Sequence, residues 1–242
     1  MLSDVMEDYL KCIYVRQAED GPPVSTSAIA ESLEKTAPSV TSMVEKLADR
    51  GLVAREKYKG VELTEEGETV ALEVLRHHRL LEAYLAERLD YDWSEVHDEA
   101  DRLEHHISEE FERRVAAELD DPELDPHGDP IPSADLEPVE ADETEALSAQ
   151  PVDSRVAVAR VSDRDEEELA YLADAGVEPG TELTVVDVAP FGMVTVATDA
   201  GDEQSLPEPV AEAIRVRPVG TADADVGSSG GSGGSDGPRG EA

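Results

Sequence analysis

Thirty residues, His77 to His106, hold five of the six histidines and constrain the fold more than any other stretch. His78 and Glu82 are four apart, and His97, Asp101, Glu104 and His105 fall at offsets of zero, four, seven and eight. On an α-helix each set shares one face, with neighbouring Cβ atoms roughly 5–6 Å apart, close enough for two side chains to meet one ion. Imidazole with carboxylate and no thiolate is a ligand set for Mn²⁺, Fe²⁺ or Zn²⁺. The plainer reading of such histidines is a solvated face or satisfied core positions. Against it, the ligand face borders an apolar row, Val96, Ala100, Leu103, Ile107, Phe111 and Val115, and His78 lies in the row Val74, His78, Leu81, Leu85. Six donors at the edge of a core, on two neighbouring helices, predict a metal site.

Both helices have readable ends. Thr64 caps the first, which runs to about Leu89, and Ser94 is expected to cap the second, which runs to about Leu119. Two helices this apolar exceed what one small subunit covers, which predicts a homodimer.

Upstream of them the charge changes sign. The chain carries 58 acidic against 20 basic residues, a formal charge of −38, which would normally exclude a nucleic-acid partner. Yet all five lysines lie between Lys11 and Lys59. From Lys35 to Gly60, Lys35, Lys46, Arg50, Arg55, Lys57 and Lys59 outnumber Glu45, Asp49 and Glu56. A positive island in so acidic a chain is the footprint of a polyanion. The periodicity there predicts a helix over Asp4–Ala18 with Val5, Tyr9, Ile13 and Tyr14 inward, a break at Gly21-Pro22-Pro23, and a second helix over Ser25–Leu33. A third is capped by Thr36, with Pro38 in its first turn, where a missing N–H costs nothing. Its buried row is Val40, Met43, Val44 and Leu47, and its exposed row is Ser39, Thr41, Ser42, Lys46 and Arg50. Leu52–Arg55 and Val61–Leu63 flank a basic hairpin tip at Lys57 and Lys59. Three helices and a hairpin make a winged helix-turn-helix.

The expected organisation is therefore a DNA-binding domain over 1–64 and a helical metal-binding and dimerisation domain over 65–120. Residues 121–151, acidic, proline-rich and without periodicity, read as a linker. Strands at Arg155–Val161, Glu182–Asp187, Met193–Ala197 and Ile214–Pro218, with a short helix near Glu166–Leu172, predict a small barrel over 152–220. The Gly/Ser-rich 221–242 is expected to be a disordered tail. Carboxylates spread along most of the chain match a halophile's protein, kept hydrated in concentrated salt. The lone Cys12 excludes an intramolecular disulfide. No apolar run approaches the roughly 20 residues that span a bilayer, and Met1–Glu7 lacks the features of a signal peptide. A cytoplasmic protein with no membrane partner is expected.

The chain resembles the diphtheria toxin repressor family of metal-dependent transcriptional regulators. Met6-Glu7-Asp8-Tyr9-Leu10 with Ile13-Tyr14 looks like the family's opening helix, and Ala30–Leu33 with Thr36–Thr41 like its helix-turn-helix. His78-Arg79-Leu80-Leu81-Glu82 and Val96 to His105 look like its ligand helices, and Gly128-Asp129-Pro130-Ile131-Pro132 like the signature after them. Asp174-Ala175-Gly176-Val177 with Pro179 resembles its C-terminal domain. The resemblance covers roughly 1–219. It implies a multidomain fold: an all-α winged helix-turn-helix domain, a helical dimerisation domain and a small SH3-like (FeoA-like) β-barrel.

By position, the resemblance implies a primary site of Asp8, Asp101, Glu104 and His105. It implies an ancillary site of His78, Glu82 and His97, joined by Asp163 and Glu166 from the C-terminal domain. The effector is Mn²⁺ or Fe²⁺, and the partner is double-stranded operator DNA. Thr36, Lys46, Lys57 and Lys59 would stand at the phosphates and Ser39, Thr41 and Ser42 at base edges or methyl groups, with Pro38 and Arg50 also in the DNA-binding set. Asp101 stands where iron-responsive members often have cysteine, and Asp8 is a carboxylate as in manganese-responsive members. Lys11 stands where the latter often carry a second acid. Neither enzymatic activity nor a small-molecule substrate is expected. A metallohydrolase built on His78, Glu82, His97 and His105 would need a motif such as HExxH or a nucleophile, and neither accompanies the histidines. The other alternative is a metal-independent winged-helix regulator with structural histidines, which a chelator would leave unaffected.

Overall fold

Local caps decide where the N-terminal helices begin. The computed structural model describes residues 2–56, 59–139, 143–163, 165–190, 192–198 and 200–219, without the side chains of Glu56 and Glu166. Helix α1 (Asp4–Asp20) stops at Gly21, whose φ of +78° suits glycine. Ser25 accepts from the Ala28 N–H to open α2 (Thr26–Ser32), and Thr36 accepts from the Ser39 N–H to open α3 (Ala37–Asp49). The β1 (Val53–Glu56) and β2 (Gly60–Leu63) strands pair antiparallel, Val53 opposite Leu63, and Val24 bridges to Val61. Leu10, Ile13, Ile29, Val40, Val44, Leu47 and Val61 close one core, a winged helix. On α1 the buried stripe runs through Met6, Leu10 and Ile13. Val5, expected inward, sits at the stripe's margin and is 47% exposed. The expected phosphate contact Lys57 lies outside the described residues, as does the tail over 221–242.

Helix α4 (Glu65–Leu89) is the spine joining two domains, and Thr64 caps it at Gly67 N–H. Gly67 is needed there, since a Cβ would sit 1.9 Å from the Leu52 carbonyl oxygen. Ala71, Leu72 and Leu75 complete the winged-helix core. Further along, Leu80 and Ala83 pack on Val115 and Ala116, and Leu81 and Leu85 on Val96 and Ala100.

The single helix expected from Ser94 to Leu119 is two, α5 (Val96–Leu103) and α6 (Glu109–Glu118). Ser108, in extended conformation, accepts from the Phe111 N–H and starts α6 afresh, with Glu109, Glu110 and Glu112 in its first turn. The apolar row breaks with it, leaving Phe111 exposed. Ser94 is not the cap. Glu95 holds that position, and the Ser94 hydroxyl donates to Asp92.

Residues 121–151 are no bare linker. Ile131 packs on Leu80, Leu136 and Val139 pack on the winged-helix core, and Val139 N–H donates to the Tyr14 hydroxyl. Arg76 and Arg79 donate to the carbonyls of Pro132 and Pro130. Isolated apolar side chains and backbone carbonyls make these contacts, so no periodicity announces them. The stretch then supplies β3 (Glu145–Ala146) and a 3-10 turn (Leu147–Ala149) to the C-terminal domain.

There β4 (Arg155–Val161), α7 (Glu166–Asp174), β5 (Glu182–Ala189), β6 (Met193–Thr198), β7 (Glu203–Pro207), α8 (Glu208–Ala213) and β8 (Ile214–Pro218) follow in chain order. They form a six-stranded antiparallel SH3-like sheet, ordered β3-β8-β4-β5-β6-β7. Register shifts near Ala159 and Val186 are bulges that bend it around Val158, Leu169, Leu183, Val196 and Ile214. No described helix is long and apolar enough to cross a membrane.

Candidate metal centre and nucleic-acid interface

Because α5 stops at Leu103, His105 enters the following turn, while Glu104 caps the helix with helical backbone and stays beside Asp101. His105 turns toward α1, where its Nε2 is 2.8 Å from Asp8 Oδ1 and 3.3 Å from Glu104 Oε1. Its Nδ1 is 2.8 Å from Glu7 Oε2, an acid that spacing alone did not single out. Such a carboxylate fixes the ring while the other nitrogen faces the site. Burial opposes the His105 charge, but Glu104, Glu7 and Asp8 outweigh it and raise its pKa. Burial raises Asp8, with His105 acting against it.

Asp101 does not join Asp8. It remains on α5, facing α4, with Oδ1 3.2 Å from His78 Nδ1. The four residues expected on one face therefore split about Glu104, whose Oε2 is 2.7 Å from the same His78 nitrogen. His78, Asp101 and Glu104 form one group of converging donors, and Asp8, Glu104 and His105 another. The Lys11 ammonium donates to Asp101 and Glu104.

The other face of the His78 ring belongs to a deeper group. Its Nε2 is 2.9 Å from Glu82 Oε1, and His97 Nδ1 is 3.3 Å from that oxygen and 3.1 Å from Asp163 Oδ2. Asp163 comes from the loop after β4, so the C-terminal domain contributes a donor. The Glu166 side chain lies outside the described residues. Glu82 is fully buried, and burial alone would raise its pKa; His78 and His127 instead hold it well below the usual carboxylate range. Burial disfavours charge on His97 and His127, yet Asp163 and Glu82 push His97 up to about 10, and Glu82 pushes His127 up to about 9.

His127 and Asp125, in the supposed linker, were missed as site residues. His127 Nδ1 is 3.7 Å from Glu82 Oε1, and Glu82, Asp125 and His127 converge as a further donor group. His127 Nε2 is 2.8 Å from the Trp93 carbonyl, so that nitrogen donates and Nδ1 carries the lone pair once the ring is neutral. Gly128 lets this turn reach β4, since a Cβ would meet the Ala159 carbonyl oxygen at 2.1 Å. Glu82 Oε2 and His127 Nδ1 are buried without a hydrogen-bond partner. Buried polar atoms without a partner are rare unless something else satisfies them. Carboxylate and imidazole donors with such orphans fit a hard or borderline divalent ion.

On the winged helix, Ser39, Ser42, Lys46 and Arg50 are exposed along α3, with Thr36 and Pro38 at its start and Lys59 beyond the hairpin tip. Thr41 is half-buried and its hydroxyl donates to the Ala37 carbonyl, which leaves its methyl group for contact. Arg55 pairs with Glu45 at 2.8 Å.

Family models match throughout. Residues 1–61 match the N-terminal DNA-binding domain of iron-dependent repressors, 64–133 their metal-binding and dimerisation domain, and 146–218 the FeoA domain. The iron-dependent repressor IdeR of Mycobacterium tuberculosis (strain ATCC 25618 / H37Rv) is 35% identical over 231 residues, covering 90% of this chain and 99% of that one. The diphtheria toxin repressor of Corynebacterium diphtheriae is 31% identical, covering 89% and 97%. Among solved structures, a manganese-dependent transcriptional repressor in complex with manganese has a TM-score of 0.82 at 40% identity, covering 88% of this chain and all of the other. The structure of T. acidophilum IdeR has a TM-score of 0.74 at 27% identity, covering 90% and 100%.

Proposed function

As a member of the diphtheria toxin repressor family, the chain is a metal-dependent DNA-binding transcriptional repressor and not an enzyme, and we propose that Mn²⁺ or Fe²⁺ is its effector ion. One observation carries the reading. Asp8 belongs to the winged-helix domain, Glu104 and His105 belong to the dimerisation domain, and their donor atoms converge. A bound dication supplies the positive charge that lets Asp8 and Glu104 approach without repulsion. Asp8 then fixes α1, and through α1 the angle at which α3 is presented. Glu7 keeps the His105 ring facing the site. Oxygen and imidazole donors without sulfur favour Mn²⁺ while admitting Fe²⁺.

His78, Glu82, His97 and Asp163 would hold a second ion and tie the C-terminal domain to α4 and α5, with Asp125 and His127 converging on the same Glu82 from the other side. Residues 1–64 serve as the DNA-binding unit, and 65–120 bring two subunits together so that paired α3 helices read two half-sites of a double-stranded operator. Lys46, Arg50 and Thr36 face phosphates, while Ser39, Thr41 and Ser42 face base edges. The regulated genes are those of metal homeostasis, and the protein acts in the cytoplasm.

The test is binding of the full chain to DNA from upstream of its own gene, with chelator, Mn²⁺, Fe²⁺ or Zn²⁺. Binding with Mn²⁺ or Fe²⁺ and none with chelator is expected. His105→Ala should lose the metal response and keep the dimer, because the Leu81, Leu85, Val96 and Ala100 core that shapes the dimerisation domain does not include His105. Equal binding in chelator and metal would refute the reading.

A further inference from the structure

We propose that Lys11 is a tethered cation that fills one of two adjoining ion positions in the cleft between α1 and α5, so that this cleft takes a single divalent ion and not a pair. The inference deepens the metal-site reading and rests on it. Lys11 Nζ is 2.8 Å from Asp101 Oδ1, 2.8 and 2.7 Å from the two Glu104 oxygens, and 3.4 Å from His78 Nδ1. Those three residues are one of the groups whose donor atoms could converge on an ion. The ammonium thus stands among the atoms that would ligate a cation. It is not a side chain reaching for water, since only 16% of it is exposed.

The two positions are coupled through Glu104. Its carboxylate faces His105 and Asp8 on one side and His78 and Lys11 on the other. An ion beside Asp8 and His105 would therefore share that carboxylate with the ammonium. The charges agree with this arrangement. Asp8, Asp101 and Glu104 bring three negative charges, Glu7 behind His105 a fourth, and Lys11 returns one, so one dication neutralises most of what is left. A second dication beside Lys11 would leave the cleft with excess positive charge in a partly buried space, where repulsion is poorly screened. Burial works against the ammonium, but Glu104 and Asp101 more than offset it and keep Lys11 charged. Asp4 to Asp20 is continuous helix around it, so Lys11 is delivered from the same face, one turn on, as Asp8.

The experiment uses Mn²⁺ with the full chain, comparing wild type, Lys11→Arg, Lys11→Met and Lys11→Glu. Bound metal is counted after equilibrium dialysis, and electron paramagnetic resonance reports whether two Mn²⁺ ions are spin-coupled. Wild type and Lys11→Arg should show uncoupled ions and equal counts. Lys11→Glu should bind one more ion per subunit and show a coupled pair, because the new ion shares Glu104 with the first. Lys11→Met, which leaves Asp101 and Glu104 uncompensated, should also gain an ion, so the test survives if the acidic variant fails to fold. A coupled pair in wild type, or a folded Lys11→Glu and Lys11→Met that both bind the wild-type number, overturns the proposal alone. A wild type that binds no Mn²⁺ overturns the metal site as well.

Discussion

Metal uptake near Glu82 should eject protons, one from each charged histidine that engages the ion. His97 is held up to about 10 and His127 up to about 9 by the Asp163 and Glu82 carboxylates, so at pH 7 both rings are charged. An imidazole ligates only when neutral, so each ring that engages an ion releases a proton. For His127, removing a proton at pH 7 from a group titrating near 9 costs about 2.7 kcal/mol, at about 1.36 kcal/mol per pH unit. By linkage the affinity for Mn²⁺ should rise about tenfold per pH unit for each proton displaced, hence about 100-fold from pH 7 to 8 where both rings engage. The dependence should flatten once pH passes about 9 and then about 10. Calorimetric titration at pH 7 in two buffers of different ionisation enthalpy counts the protons directly. His127→Ala should lower the count by one. A count of zero in the wild type would mean that the rings are neutral before metal arrives, and the electrostatic reasoning would be wrong.

The same groups fix how the ion-free chain responds to pH. Their folded pKa values lie above the ordinary histidine value of 6.5, so their stabilising contribution is complete below that value and is lost as pH rises through about 9 to 10. The ion-free melting temperature should fall over that window, and the Mn²⁺-loaded chain should fall less; equal slopes by scanning fluorimetry would contradict this. Lys46→Ala should weaken binding to all DNA sequences alike and reduce the salt slope by about one unit, whereas a loss confined to one operator would assign Lys46 to base readout. Gly128→Ala places a methyl group 2.1 Å from the Ala159 carbonyl oxygen at a φ of +88°. It should cost at least about 1–2 kcal/mol from the backbone alone and shift the emission of the single Trp93, whose ring centroid lies 5.4 Å from that of His127. Unchanged emission and melting would show that the turn need not touch β4.

The winged helix was legible because its signals are local and mutually consistent. Thr36 and Thr64 cap where a reader of the sequence would place them, and Val40, Val44 and Leu47 repeat with helical period. The break between α5 and α6 was also written, in Ser108 followed by Glu109, Glu110 and Glu112. An apolar row long enough to run past it concealed the signal. Strand β7 left almost no trace, because Leu206 is its one buried residue and alternation needs more than one. Residues 121–139 hold their place through single side chains and carbonyls, a pattern without a period.

In the site, residue types were legible and groupings were not. Whether Asp101 meets Asp8 or His78 depends on where α5 ends, which the spacing of the ligands does not say. The sixth histidine, His127, stood outside the cluster that drew attention, yet its isolation in an acidic stretch was the available signal. Placed in three dimensions, these donors gather every domain at one spine. Alpha1 gives Asp8 and Lys11, α4 gives His78 and Glu82, and α5 with its turn gives His97, Asp101, Glu104 and His105. The 125–127 turn adds Asp125 and His127, and the C-terminal domain adds Asp163. A carboxylate as buried as Glu82, with one oxygen unpartnered, is poor material for stability, since desolvating it costs more than a well-packed apolar residue would. Its value lies in being incomplete. On the proposed function, an ion that displaces the protons of His97 and His127 converts metal concentration into the relative placement of domains, and α1 carries that placement to α3.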